Sequence, residues 1–219
     1  MIVVRFEYQA LREQAVSLWH EAFGDNEDYI RFFHGAHSSC FCLMLTQGDE
    51  LVSALYLIDG ELCSKQGYYL FAAATFKKFR GKGYMANLLK KAESFAKQNG
   101  KSFIALVPAE PSLFDYYSRF GYKTSFYARK QPVGAEFSTD DINVFFWSAG
   151  HTDYIRKEQE KYGTALYEYD GLVFSVYEGG FIKTPADKSE AYRYGMMLSL
   201  DDESKSFTQL NSYIGLTLE

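Results

Sequence analysis

Arg80, Gly81, Lys82 and Gly83 put two cations and two glycines in four consecutive positions, directly before Tyr84 and Met85. Where such a run joins a strand to a helix, it collects free backbone N–H groups at the positive end of the helix. That arrangement holds a phosphate. Glycine at 81 and 83 lets the main chain approach a ligand closely and take turn geometry that a side chain hinders. The run therefore predicts a pyrophosphate cradle. It is neither a P-loop, which needs Gly-Lys-Ser/Thr, nor a dinucleotide fingerprint, which needs G-x-G-x-x-G and an acid about 20 residues on.

The elements that must position the cradle are legible on both sides. Tyr68 to Thr75 is an apolar strand-like run. Met85, Leu88, Leu89, Ala92, Phe95 and Ala96 follow a helical ladder, with Lys90, Lys91, Glu93 and Lys97 on the other face and Gly100 as the stop. Downstream, Phe103 to Val107 reads as a strand ending at Pro108, followed by a short helix from about Ser112 to Gly121.

The segment Arg80 to Met85 resembles the Q/R-x-x-G-x-G/A acyl-CoA signature of the GNAT N-acetyltransferases. Tyr117-Ser118-Arg119-Phe120-Gly121-Tyr122 resembles their Tyr-x-x-Phe-Gly-Phe/Tyr element. The two stand in the family's order, separated by one helix and one strand. The resemblance is fullest over Phe71 to Tyr127, weaker from Met1 to Tyr69 and faint beyond Lys130. Met85 departs from the pattern's Gly or Ala; that position contributes mainly a backbone N–H, and a side chain on the apolar ladder can turn into the core.

The resemblance implies acetyl-CoA as acyl donor and a mixed α/β fold with a mostly antiparallel central sheet flanked by helices. It also implies roles for residues. The pantetheine arm would lie beside Ala72, Ala73, Ala74 and Thr75, with a backbone N–H at or near Ala73 for the oxyanion. Backbone N–H groups of Gly81, Lys82, Gly83, Met85 and Ala86 would hold the pyrophosphate, with Arg80 nearby. Tyr117, four residues before Gly121, matches the general acid that returns a proton to the leaving thiolate, with Tyr116 the alternative one register away. Its ordinary pKa near 10 keeps a phenol protonated at neutral pH. No acid lies between Tyr68 and Phe76 to serve as base. Ordered water, Glu110, one of Asp25, Glu27 or Asp28, or the carboxylate of Glu219 at the end of the apolar run from Tyr213 are the alternatives.

The first domain is expected over residues 1–130: a strand at 2–7, helices at 9–23 and 29–34, strands at 41–46 and 51–58, a turn at Asp59-Gly60, then the motif-bearing elements. Residues 131–219 are expected to pack on it as an α+β extension, faintly similar to the enhanced-intracellular-survival type of acetyltransferase. In it, Phe137 to Asp141 reads as a helix start, 155–162 as helix, Asp170-Gly171 as a hairpin turn between strands, and 195–200 and 213–218 as strands.

Among 219 residues, 47% are hydrophobic and 18% aromatic, enough for a large core, and the net charge of -5 argues against a nucleic-acid binder while suiting a cationic amine. The acceptor is thus expected to be a small-molecule or peptide amine. No apolar run approaches the roughly 20 residues of a membrane span, and the N-terminus does not read as a signal peptide, so a cytoplasmic protein without a membrane partner is expected. Cys40, Cys42 and Cys63 read as reduced thiols, and His20, His34, His37 and His151 as core or surface residues, with no metal site. Homodimerisation through the extension stays open. The competing reading is a non-catalytic acyl-CoA-binding or scaffold module.

Overall fold

A computed structural model describes residues 2–4, 9–138, 142–163, 165–169, 171–186, 191–209 and 212–215. β1 (Ile2–Val4), β2 (Cys40–Gln47), β3 (Glu50–Leu62) and β4 (Lys65–Thr75) pair antiparallel in chain order. Val52 to Ile58 is buried throughout, because helices cover both faces of the sheet there; a strand covered on both sides reads as an unbroken apolar run. α1 (Gln9–Phe23) and α2 (Glu27–Ala36) pack one face through Leu18, Trp19, Ile30 and Phe33. α3 (Tyr84–Gln98) and α4 (Pro111–Ser118) pack the other through Leu88, Leu89, Ala92, Phe114 and Tyr117. The α3 crossover makes β5 (Phe103–Leu106) parallel to β4, and β6 (Lys123–Pro132) follows α4.

Beyond β6 the chain adds β7 (Asn143–Trp147), α5 (Ala149–Tyr162), the hairpin of β8 (Leu166–Tyr169) and β9 (Leu172–Ser175), then β10 (Phe181–Pro185), β11 (Tyr192–Ser199) and β12 (Ser212–Ile214). The sheet order is β1-β2-β3-β4-β5-β11-β6-β12-β7, with β10 also on β6. β11 is antiparallel to both β5 and β6 and completes the sheet between them. Among the described residues, strands from both sides of residue 130 thus share one mixed, mostly antiparallel sheet, β8 and β9 form a separate two-stranded one, and the fold is α/β. Among the described residues no helix is long and apolar enough to cross a membrane.

Two local expectations fail for tertiary reasons. Asp59-Gly60 is not a turn: β3 continues to Leu62, and the reversal falls at Cys63-Ser64, both left-handed at φ 51 and 60. Gly60 is there for space. It pairs with Trp147 of β7, and a Cβ on it would lie 2.1 Å from the Phe145 ring. Gly60→Ala is therefore expected to lower stability by about 1–3 kcal/mol, the usual cost of overpacking; an unchanged denaturation midpoint would mean that the β3–β7 seam simply opens. The helix expected to start at 137–141 is absent from 137–138, which are irregular, and residues 139–141 lie outside the described set; strand β7 follows, and the helix begins at Ala149, capped by Ser148, which accepts from the His151 N–H.

Candidate active site

β4 and β5 pair only at Gly67–Phe103, Tyr68–Ile104 and Tyr69–Ala105. Past Tyr69, the β5-facing edge of β4 has no strand partner among the described residues. The register of β3 against β4 shifts at the same level: Tyr56 opposes Phe71 and Ala54 opposes Ala74, so Ala72 and Ala73 face Leu55 alone. This is a bulge, with Ala72 at φ 44, an uncommon conformation for a residue with a side chain. The extra residue bends β4 away from β5 and opens a wedge whose wall is the backbone of Ala72, Ala73, Ala74 and Thr75. Small side chains keep that wall accessible: Ala72, Ala73 and Thr75 are only partly buried.

At the wide end of the wedge stands the cradle. A 3-10 turn at Lys77–Phe79 leads into Arg80, then Gly81 and Gly83 adopt left-handed φ of 76 and 77. Gly83 caps α3 without a side chain, and Asn87 is the first residue of the helix whose N–H reaches a backbone carbonyl, that of Gly83 at 3.0 Å. From Gly81 to Ala86, no backbone N–H meets a backbone acceptor among the described residues. Those six donors are available to an anion. Arg80 Nε donates to the Thr75 carbonyl at 3.0 Å and ties the cradle to the end of β4. The Lys77 N–H donates to Glu21 at 2.7 Å and ties it to α1. Met85 packs against the α3-side core, which is how a long side chain stands where the motif has a small one.

Tyr117 lies on the same side of the sheet as Ala73, in the cluster with Leu70 and Leu106, the residues flanking the mouth of the wedge. Burial, and next the neighbouring Tyr116, raise its pKa, so at neutral pH it is a phenol with a proton to give. Its hydroxyl has no hydrogen-bond partner among the described residues, and its ring meets Tyr116 and Tyr122 edge-on at 5.4 and 5.6 Å. Tyr116 is less buried, and burial raises its pKa too. Glu110 sits at the N-cap of α4 with its side chain exposed, 3.5 Å from the Ser112 hydroxyl that donates to it. The other acids have structural partners: Asp25 accepts from Trp19 Nε1 at 2.6 Å, and Arg31 pairs with Glu27 at 2.8 Å and Asp28 at 3.8 Å. Glu219 lies outside the described residues.

A further polar network went unread. On the α1–α2 side, Tyr29 and Tyr154 donate to Glu158 at 2.9 and 3.2 Å, joining α2 to α5. Nearby, His37 and His151 share a 2.9 Å hydrogen bond, and His34 meets the Tyr56 hydroxyl at 2.9 Å. Burial pushes His34 down to about 3 and His37 to about 4, so both are neutral core groups at physiological pH. Nothing local signals these pairs, since Tyr29 and Glu158 are 129 residues apart. Among the aromatics, Phe33 and Phe145 are core, whereas Phe146 is 59% exposed.

The family model described as an acetyltransferase (GNAT) domain matches residues 8–125, from before α1 into β6. The chain belongs to the GNAT acetyltransferase family. GNAT membership makes it an acyl-CoA-dependent acyltransferase, and the wedge and cradle lie inside the matched residues. No curated protein matches the sequence. Among solved structures, a GCN5-related N-acetyltransferase from Kribbella flavida aligns with a TM-score of 0.58 at 13% identity, covering 91% of this chain and 72% of that one. An aminoglycoside 6'-N-acetyltransferase complexed with coenzyme A aligns at 0.51 and 12% identity, covering 92% and 98%. A conserved Enterococcus faecalis V583 protein of unknown function aligns at 0.48 and 14% identity over 54% of this chain, which spans 31% of that protein's length. At such identities the likeness to the first two is one of fold, and their coverage of this chain extends it past the GNAT-matched residues.

Proposed function

We propose that this GNAT member moves an acetyl group from acetyl-CoA to a primary amine by direct attack through a tetrahedral intermediate. The observation that carries the reading is the wedge: β4 leaves β5 at Tyr69 and ends, through Arg80, on a turn of unpaired N–H groups. An extended pantetheine arm needs such an unpaired strand edge, and a pyrophosphate needs such a turn. The coenzyme A bound to the related aminoglycoside acetyltransferase supports the same donor here.

In this proposal, Gly81 to Ala86 bind the phosphates through their N–H groups, and the edge of Ala73 to Thr75 pairs with the amides of the arm. The backbone N–H at Ala73 stabilises the oxyanion that forms when the amine adds to the thioester carbonyl. Tyr117 gives its proton to the sulfur as the C–S bond breaks. Glu110, at the end of the β5 side, takes the proton that the amine loses. Glu110→Gln is expected to lower kcat/KM about tenfold or more and to flatten the acid limb of its pH profile. An unaltered profile would hand the proton to ordered water instead. The net charge of -5 suits a cationic amine, whether small molecule or peptide.

The test is calorimetric titration with acetyl-CoA and free CoA, followed by acetyl-transfer assays on a panel of primary amines. Micromolar binding with turnover on at least one amine is the expected result. Absence of binding would overturn the proposal.

A further inference from the structure

We propose that a second cavity, between α3, the end of α4 and β11, is a binding site for a small carboxylate with an apolar body. The cavity measures about 180 Å³. Leu89, Phe120 and Leu198 form its apolar walls, and Lys90 and Arg119 line it with positive charge. Neither cation enters an ion pair among the described residues. Glu93, the acid in the lining, is held by Lys97 at 2.7 Å, so its charge is offset and the site stays net positive.

The observation that points to a ligand is Tyr122. Its side chain lines the cavity at 2% exposure, and its hydroxyl is buried without a hydrogen-bond partner. A buried polar group left unmatched costs about 1–3 kcal/mol, and native structures seldom carry one without cause. Burial, then Tyr117 and Glu93, raise its pKa, so it remains a donor. A carboxylate accepts from a phenol and from the planar fork of an arginine together, and charge-assisted bonds of this kind are the strong ones. The size fits one small ring or a short branched chain, on the scale of the roughly 150 Å³ apolar cavity that takes benzene.

The cavity is not the phosphate cradle. The α3 residues that line it, Leu89, Lys90 and Glu93, lie six to ten residues beyond Gly83, about 9–15 Å along the helix axis. The proposed acetyl transfer uses none of these seven side chains.

Benzoate is the probe, with neutral benzamide as its isosteric control, titrated calorimetrically into the full chain with and without saturating CoA. Benzoate is expected to bind at least about tenfold tighter than benzamide, with CoA leaving its affinity within about twofold. Arg119→Gln and Tyr122→Phe are each expected to weaken benzoate by about tenfold, the scale of one charge-assisted hydrogen bond. Lys90→Gln replaces Arg119→Gln if the latter does not fold. Three outcomes overturn the proposal: no benzoate binding at about 10 mM, equal binding of benzamide, or loss of benzoate when CoA is added. The last would make the cavity part of the donor site.

Discussion

Tyr117→Phe is expected to lower kcat by about tenfold or more while leaving acetyl-CoA affinity within about twofold. The substitution removes one oxygen from a ring packed edge-on against Tyr116 and Tyr122. Because no other described group bonds that hydroxyl, its removal leaves nothing orphaned, and folding stability should stay within the ordinary range of a mild substitution, about 0.5 kcal/mol. The chemistry has no such tolerance. A thiolate leaving without a donor at hand must wait for solvent, in a site whose burial raises the phenol's own pKa and keeps the proton in place. Steady-state kinetics with a parallel acetyl-CoA titration measures both quantities. Tyr116→Phe is the control and should keep its kcat; if it loses activity while Tyr117→Phe does not, the acid is one position earlier.

Gly83→Val is expected to raise the acetyl-CoA dissociation constant at least about tenfold and to destabilise the fold by about 1–2 kcal/mol, the cost of a side chain in the left-handed region. The cause is conformational. A Cβ at Gly83 would meet nothing within 4 Å, but the residue sits at φ +77, which a β-branched residue adopts only under strain. The chain would relax by rotating the cap of α3, and the N–H groups of residues 81–86 would no longer converge. Gly83→Ala should show the same two effects at smaller size. Calorimetric titration and a denaturation midpoint separate them: a Val variant of lower stability with unchanged affinity would remove the turn from the phosphate site.

The turn from Arg80 to Gly83 was legible because it is local. Six consecutive donors, a strand before them and a ladder of apolar residues after them are properties of one short stretch, and glycine at 81 and 83 declares the left-handed turn that the structure has. The hairpin around Asp170-Gly171 was legible for the same reason, with Leu166–Tyr169 pairing Leu172–Ser175. Glycine misled where its purpose was space. Gly60 lies inside a strand because Phe145 fills the volume its side chain would need, and that contact joins residues far apart in sequence.

What the sequence by itself determined is a local arrangement: the order of strand, turn and helix, a glycine turn with free N–H groups at the start of α3, and a phenol placed four residues before Gly121. Short-range periodicity and turn chemistry suffice for these. Tertiary structure alone decided the rest. The bulge at Ala72 that opens the wedge depends on the register between β3 and β4, since any one of three alanines could be the extra residue. The insertion of β11 between β5 and β6, the return of β7 onto Gly60, and the Glu158 carboxylate under Tyr29 are pairings between distant residues. Such pairings are selected by the burial they achieve together, a property of the assembled core that no local window of residues contains.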